Sequence, residues 1–315
     1  LTDSTRPASG LKPLIKLTPY NRAIIELTIA GIIWGASFTA VRWALEDFST
    51  TTLMFWRFIL AIVGGEVFLF LVSRKDFDNS WSDLRLSAKA GICLGISLLF
   101  QIYGLNFTTA TNSGFITSLY VILIPIIGTL FFKHKIYPRH ILLSLTAFAG
   151  MGLLLDLREF TMQKGDVLTL GAALTAALQI IFIGQSAAKA KSAFRFNTFQ
   201  TFWSLVMVLP FLMFETVTHK VPLAPAAPST RSVLSVIALA FVVSLFAFYM
   251  QVRAQRVLNT TTSSMLCLLE GPFAFFFGAI FLGETLNTIQ ALGAVLILGS
   301  CAFSVFLDRP VDRKT

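Results

Sequence analysis

Long apolar runs separated by short polar breaks fill the chain from about residue 24 to residue 307. A membrane-crossing helix needs about 20 predominantly apolar residues. Ten segments fit that description: 24–45, 50–73, 86–106, 108–132, 137–156, 165–187, 196–218, 232–256, 259–282 and 285–307. Several connections are so short that neighbouring helices must form antiparallel hairpins. The pattern predicts an all-α integral membrane protein with ten transmembrane helices. Residues 1–22 and 308–315 are polar and read as tails, the first with a short interfacial stretch near "LKPLIKL". Its apolar region does not follow soon after a short basic start, so no cleaved targeting peptide is expected.

Composition agrees with this pattern. Of the 315 residues, 55% are apolar and 13% charged, with a mean hydropathy of +0.75; soluble domains carry about 25% charged residues. The net charge of +9 has no long water-soluble basic stretch to carry it, which excludes a nucleic-acid-binding domain. Its distribution instead orients the helices. With both termini cytoplasmic, 19 of the 25 Lys and Arg residues fall on the inner side. Four (Arg158, Lys164, Lys220 and Arg231) fall outside, and Arg42 and Arg57 lie within spans. That asymmetry is the positive-inside rule for a multi-pass protein of the cytoplasmic (inner) membrane.

The spans also repeat. "NSGFITSLYVILIP", ending at Pro125, resembles "NTTTSSMLCLLEGP", ending at Pro272, 147 residues later. The same offset pairs Gly152 with Gly299. An offset spanning five helices turns the second half upside down relative to the first, an architecture that recurs in transporters with a midplane binding site. The predicted organisation is a tail (1–22), a first five-helix repeat (23–156), an inverted second repeat (157–307) and a C-terminal tail (308–315).

Three stretches carry a family resemblance. "AGIIWGASFTAVRWAL" (30–45) is similar to the first-helix pattern of the EamA group of the drug/metabolite transporter superfamily. "FWRFILA" (55–61) resembles its second-helix arginine motif, and "GPFAFFFGAIFLGETLNTIQALGAVLILGS" (271–300) its ninth-to-tenth-helix signature. The resemblance implies a fold of two five-helix repeats and transport of small organic metabolites, commonly export of amino acids or related compounds. The chain departs from the pattern in two places. Leu282, Gly283 and Glu284 follow the ninth helix, but basic "KHKIYPRH" (133–140) follows the fourth, and Gly271 separates Glu270 from Pro272.

Polar groups at membrane depth are the candidate chemistry. Glu270 interrupts the apolar run 264–284, where a carboxylate costs at least ~2.5 kcal/mol on insertion scales. Either it faces a central cavity and holds a cation or exchanges a proton, or it caps backbone groups freed by Pro272. Trp34 lies mid-span with Ser37, Phe38 and Val41 on its face, and is read equally as packing or as ligand contact. Gly31 and Gly35 form a small-xxx-small pair that admits a neighbouring helix. Arg57 either binds a substrate carboxylate or fixes a neighbouring helix. Glu66, nine residues on and on the opposite face, is expected to pair with a loop cation. Gln101, Ser113, Thr117, Tyr120, Thr175, Gln179, Phe182, Tyr249, Arg253 and Phe273 complete a polar and aromatic lining suited to a small amphipathic molecule. Pro125 and Pro272 are predicted gating kinks.

No phosphate-binding G-x-x-x-x-G-K-[ST] loop occurs, and the His and Cys spacings fit no metal site. Cys93, Cys267 and Cys301 lie in apolar runs and read as buried hydrophobes. No cofactor and no catalytic activity are expected. The leading reading is a secondary transporter working by alternating access, with a coupling proton or an exchanged metabolite as its partner. An intramembrane lipid-handling protein or enzyme, and a non-transporting receptor, are the alternatives.

Overall fold

The computed structural model describes residues 18–72, 74, 81–105, 107–108, 110–132, 138–157, 161–282 and 287–308. Most of both tails, the basic stretch 133–137 and residues Gly283 and Glu284 lie outside the described residues. The described chain is helical: α1 (Pro19–Ala44), α2 (Thr50–Val72), α3 (Trp81–Leu105), α4 (Ala110–Thr117), α5 (Tyr120–Phe132), α6 (Pro138–Leu154), α7 (Lys164–Ser186), α8 (Ala193–Thr218), α9 (Thr230–Ala238), a π-helical segment (Leu239–Ala247), α10 (Phe248–Ala254), α11 (Thr260–Cys267), α12 (Glu270–Leu282) and α13 (Thr288–Leu307). Helix starts follow local chemistry. Thr18, Ser192, Ser229, Asn259 and Asn287 each accept a first-turn amide at an N-cap, satisfying donors that the helix itself leaves unpaired. Pro19 follows Thr18 at a position where its missing N–H costs nothing.

Among the described residues, nine segments are long and apolar enough to cross a membrane; α4–α5, α9–α10 and α11–α12 each count as one. The remaining segment of the predicted ten is α6, with 17 residues. At 1.5 Å per residue it is about 26 Å long, just short of a typical ~30 Å hydrocarbon core.

The ends of the bundle are tied by polar contacts. At one end, Tyr20 Oη donates to the Val305 carbonyl at 2.7 Å, and Arg253 pairs with Glu26 at 2.8 Å. Glu66 pairs with Arg195, a cation in the first turn of α8. Asp308 gathers Asn259 (2.7 Å), Thr262 and His140 (3.4 Å) at the same end. At the other end, Asp166 accepts from Thr108, Asn112 and the Gln163 amide, and Asn287 donates to Asp156 at 3.1 Å. There too, Glu215 accepts from Thr51 and Tyr103, and Asp47 from the Ser229 amide and hydroxyl.

Between the ends, α1 packs against the α9–α10 span and against α11 and α12; α3 packs against α7 and α8; α2 against α8; α6 against α13; and α7 against α4 and α5. Gly35 allows one of the close approaches: a Cβ there would stand 2.6 Å from Phe273 Cβ and 2.8 Å from the Ala274 nitrogen. Gly31 meets the Leu266 carbonyl oxygen in the same way, at 3.3 Å. The pair therefore seats α1 directly on the backbone of α11 and α12.

Among the described residues, α7 ends in a 3-10 turn (Ala187–Lys189), and within the spans the helices depart from regular α geometry in three places. Two are interruptions, at Ser118–Leu119 between α4 and α5 and at Leu268–Leu269 between α11 and α12. Both precede the prolines: Pro272 sits in the first turn of α12, where proline is tolerated, and Pro125 lies inside α5. The third is the π-helical segment, whose widened turns free carbonyl oxygens from regular pairing. Asn197 Nδ2 donates to two of them, Ser244 O and Leu245 O, each at 3.0 Å.

Candidate functional site

The interruption at Leu268–Leu269 places Glu270 at the first residue of α12, against Gly31 of α1 on one side and, through Gly271, against Met151 of α6 on another. Its side chain is partly buried, and its carboxyl makes no hydrogen bond or ion pair among the described residues. The backbone around Pro272 is not capped by this carboxyl: the Gly271 amide donates to Leu268 O and the Phe273 amide to Leu269 O, each at 3.2 Å. The Tyr120 hydroxyl and the Cys267 thiol lie within electrostatic reach of Glu270.

Two neighbouring donors are also unspent. Tyr120 Oη and Trp34 Nε1 are buried without a hydrogen-bond partner, as is Ser113 Oγ on α4. A buried polar group in a folded protein is ordinarily bonded, and leaving one unmet costs about 1–3 kcal/mol. Trp34 packs its ring on Phe248, 5.3 Å between centroids. From α10 a chain of polar groups leads back to the carboxylate: Gln179 Nε2 donates to Gln251 Oε1 at 3.4 Å, and Gln251 Nε2 approaches Cys267 Sγ at 4.0 Å. Among the described residues this region therefore holds one unpartnered acceptor, Glu270, with the Tyr120 hydroxyl in electrostatic reach of it, and a further unpartnered donor, Trp34 Nε1, whose ring packs on Phe248.

The structure brings Trp34, Tyr120, Gln179, Glu270 and Phe273 to this region and distributes the other predicted residues elsewhere. Phe38, one turn beyond Trp34, is half-exposed. Gln101 donates to Thr117 at 3.3 Å, beside the first interruption. Arg57 is buried and donates through Nε to Ser244 Oγ at 2.7 Å, on the π-helical segment. Tyr249 accepts from Arg253 Nη1 at 3.0 Å and meets Phe194 edge to face, 5.3 Å between centroids, toward the end where Glu26 and Glu66 are paired.

Gln251, Ser244 and Asn197 were not singled out from the sequence. Gln251 had a legible signal, a lone amide two residues beyond Tyr249 in the run "FVVSLFAFYMQ". Ser244 and Asn197 matter only because the helix widens at 239–247, and in that stretch, apolar but for Ser244, nothing announces a change of pitch. Among the described residues no group of three or more His, Cys, Asp or Glu side chains could hold a metal ion.

Comparison with known proteins follows the same lines. The EamA-like transporter family matches the chain twice, over residues 21–155 and 163–306. An uncharacterized transporter of Archaeoglobus fulgidus is 31% identical over 276 residues, covering 88% of this chain and 83% of the relative. A second uncharacterized transporter of that organism is 23% identical, covering 88% of this chain and 95% of its own length. A protein of known crystal structure superposes with a TM-score of 0.74 over 91% of this chain and 97% of its own, at 15% identity, a likeness of fold.

Proposed function

Because the chain belongs to the EamA-like transporter family and is a multi-pass membrane transporter, we propose that it moves a small organic metabolite bearing an amine by secondary active, alternating-access transport. The substrate class is an amino acid, an amine or a related amphipathic compound, carried outward across the cytoplasmic membrane. The observation that carries this reading is the Glu270 carboxyl, placed at a helix interruption and left without a partner beside the unsatisfied Trp34 N–H and Tyr120 O–H. A substrate ammonium meets the carboxylate in a charge-assisted hydrogen bond and the Trp34 and Phe273 rings through cation–π attraction. The two donors suit a carboxylate at the other end of a zwitterion.

Alternating access requires two states, and the proposed device is an inverted pair of five-helix repeats, 23–156 and 157–307, with α6 as the fifth of ten crossings. Three observations support it. One family matches both halves. The two interruptions, Ser118 and Leu268, stand 150 residues apart, close to the proline offset. The packing also survives exchange of the halves: α1 on α11–α12 corresponds to α7 on α4–α5, and α3 on α7 and α8 to the α9–α10 span on α1 and α2. The interruptions and the prolines beside them supply the bends between inward- and outward-open states, with a proton or an exchanged metabolite as the coupled partner.

A thermal-shift screen of the purified protein against amino acids, amines, nucleotides and organic acids tests the substrate class. Stabilisation by amines or zwitterions that vanishes in Glu270→Gln is the expected result; stabilisation by nucleotides or organic acids alone contradicts it. Orientation is tested separately. Because the three native cysteines are buried, an impermeant thiol reagent outside cells should label a cysteine at Lys164 and not one at Lys189.

A further inference from the structure

A cavity of about 850 Å³ opens at the end of the bundle that carries Arg22, remote in chemistry from the Glu270 centre. Its mouth is basic: Arg22, Lys191, Arg253 and Arg256 all line it. Among the described residues Glu26 pairs with both Arg22 and Arg253, at 2.8 Å each, one carboxylate shared between two of the four cations. Arg256 donates to the Ala190 carbonyl at 2.8 Å, which fixes its guanidinium at the rim. Lys191 is exposed. The neighbouring Arg195–Glu66 pair is internally neutral.

Below the rim the cavity is aromatic. Phe68, Phe241 and Phe246 line it and remain 46%, 39% and 46% exposed, although all three belong to segments long and apolar enough to cross a membrane. The cavity therefore presents apolar surface at membrane depth. The π-helical segment carries Phe241 and Phe246, and Gly64 of α2 leaves room for the first of them: a Cβ there would stand 2.3 Å from the Phe241 ring. From Arg253 to Phe241 is a step of 12 residues along one span. At 1.5 Å per residue an α-helix would cover roughly 18 Å over that step; the π-helical part shortens it, toward the ~15 Å depth of one hydrocarbon leaflet.

We infer that this cavity is a binding site for an anionic phospholipid. The phosphate lies among Arg22, Lys191, Arg253 and Arg256, and an acyl chain runs down the faces of Phe68, Phe241 and Phe246. Charge complementarity selects the anionic headgroup, because basic pockets between membrane helices attract such lipids. The leaflet-length apolar floor selects a lipid over a soluble anion, which would leave that floor unused. Binding here ties α1, α2, α8 and α10 together at one end.

The test is a thermal-shift titration of the purified full chain with phosphatidylglycerol, phosphatidylcholine and inorganic phosphate in a neutral detergent. Phosphatidylglycerol is expected to raise Tm saturably, with the other two giving little. Lys191→Gln should weaken the apparent affinity about fivefold, the effect of removing one basic residue near an anionic lipid, while Arg85→Gln, outside the cavity, leaves it unchanged. Lys191 is exposed and its side chain ties no helix, so the variant should fold; Phe246→Asn, on the apolar floor, gives a second reading and should also weaken binding. Equal stabilisation by phosphatidylcholine, full replacement of the effect by inorganic phosphate, or an unchanged titration in Lys191→Gln and Phe246→Asn would overturn the assignment.

Discussion

Asp166 and Glu270 are both carboxylates drawn away from water, and the fold surrounds them in opposite ways. Asp166 is wholly buried at one end of the bundle and accepts from Thr108, from Asn112 at 3.4 Å and from the Gln163 amide at 2.7 Å. It closes a capping box at the start of α7 and ties α7 to the turn before α4. Glu270 opens a helix at an interruption and has no partner among the described residues, beside Trp34 and Tyr120 donors in the same condition. A buried charge that is fully bonded holds structure together; one left unmet, with complementary donors nearby, is available to a ligand. Stability should therefore reside in the first and recognition in the second.

The largest expected effect is on binding. Glu270→Gln removes the charge while keeping the shape, and substrate affinity should fall roughly 30-fold or more, the loss seen when one partner of a buried charge pair is removed. Its Tm should barely move, because no internal bond is broken. Asp166→Ala should do the reverse: unfolding measured by thermal or denaturant titration should show a loss of about 1.5–3 kcal/mol, with substrate affinity nearly unchanged in the folded fraction. If the two variants exchanged these phenotypes, the distinction would fail.

Smaller effects sharpen it. Trp34→Phe keeps the ring and deletes the N–H, and Gln251→Leu deletes the amide that meets Gln179; each should weaken substrate binding about 2- to 10-fold by calorimetry, the range for a neutral hydrogen bond. Replacing Pro125 and Pro272 together by Ala should slow flux more than it weakens binding, and an equal loss in both would assign the prolines to packing.

The smallest effect is expected at the Asp47 clasp outside the membrane spans. The Ser232 hydroxyl, then the Ser229 amide and hydroxyl, hold the Asp47 carboxyl below its ordinary value of 3.8. A depressed folded value means that the clasp contributes fully at neutral pH and is lost only as pH falls through that lowered value. Tm of the wild type and of Asp47→Asn, compared between about pH 5 and 8, should differ by a small constant amount. A difference that shrank across that interval would point to a different titrating group.

The same contrast explains what the sequence made legible. Apolar run length located nine of the ten expected spans among the described residues, and Gly31 and Gly35 announced the close approach of α1 to α12 that Phe273 and Ala274 occupy. Glu66 proved to face a cation, Arg195, near a helix start. Glu270 stood out because a lone acid in hydrocarbon is costly. The helix interruptions were harder to place: they fall at Ser118–Leu119 and Leu268–Leu269, where ordinary residues leave helical geometry, and not at the prolines that drew attention. The π-helical segment was invisible for a related reason. "LAFVVSLFA" is apolar except for Ser244, and its pitch is supported from outside the segment, by Asn197 and Arg57.

Whether Glu270 is the substrate contact is tested most directly by flux. Wild-type protein and Glu270→Gln would be reconstituted into vesicles at equal density and loaded with the amine or zwitterion found by thermal shift. Exchange would then be followed between about pH 5 and 8. Saturable exchange by the wild type and none by Glu270→Gln, with the variant still folded and at wild-type Tm, is the predicted result. Transport by Glu270→Gln at the wild-type rate across that range would contradict the account and leave the carboxyl as a feature of the helix interruption alone.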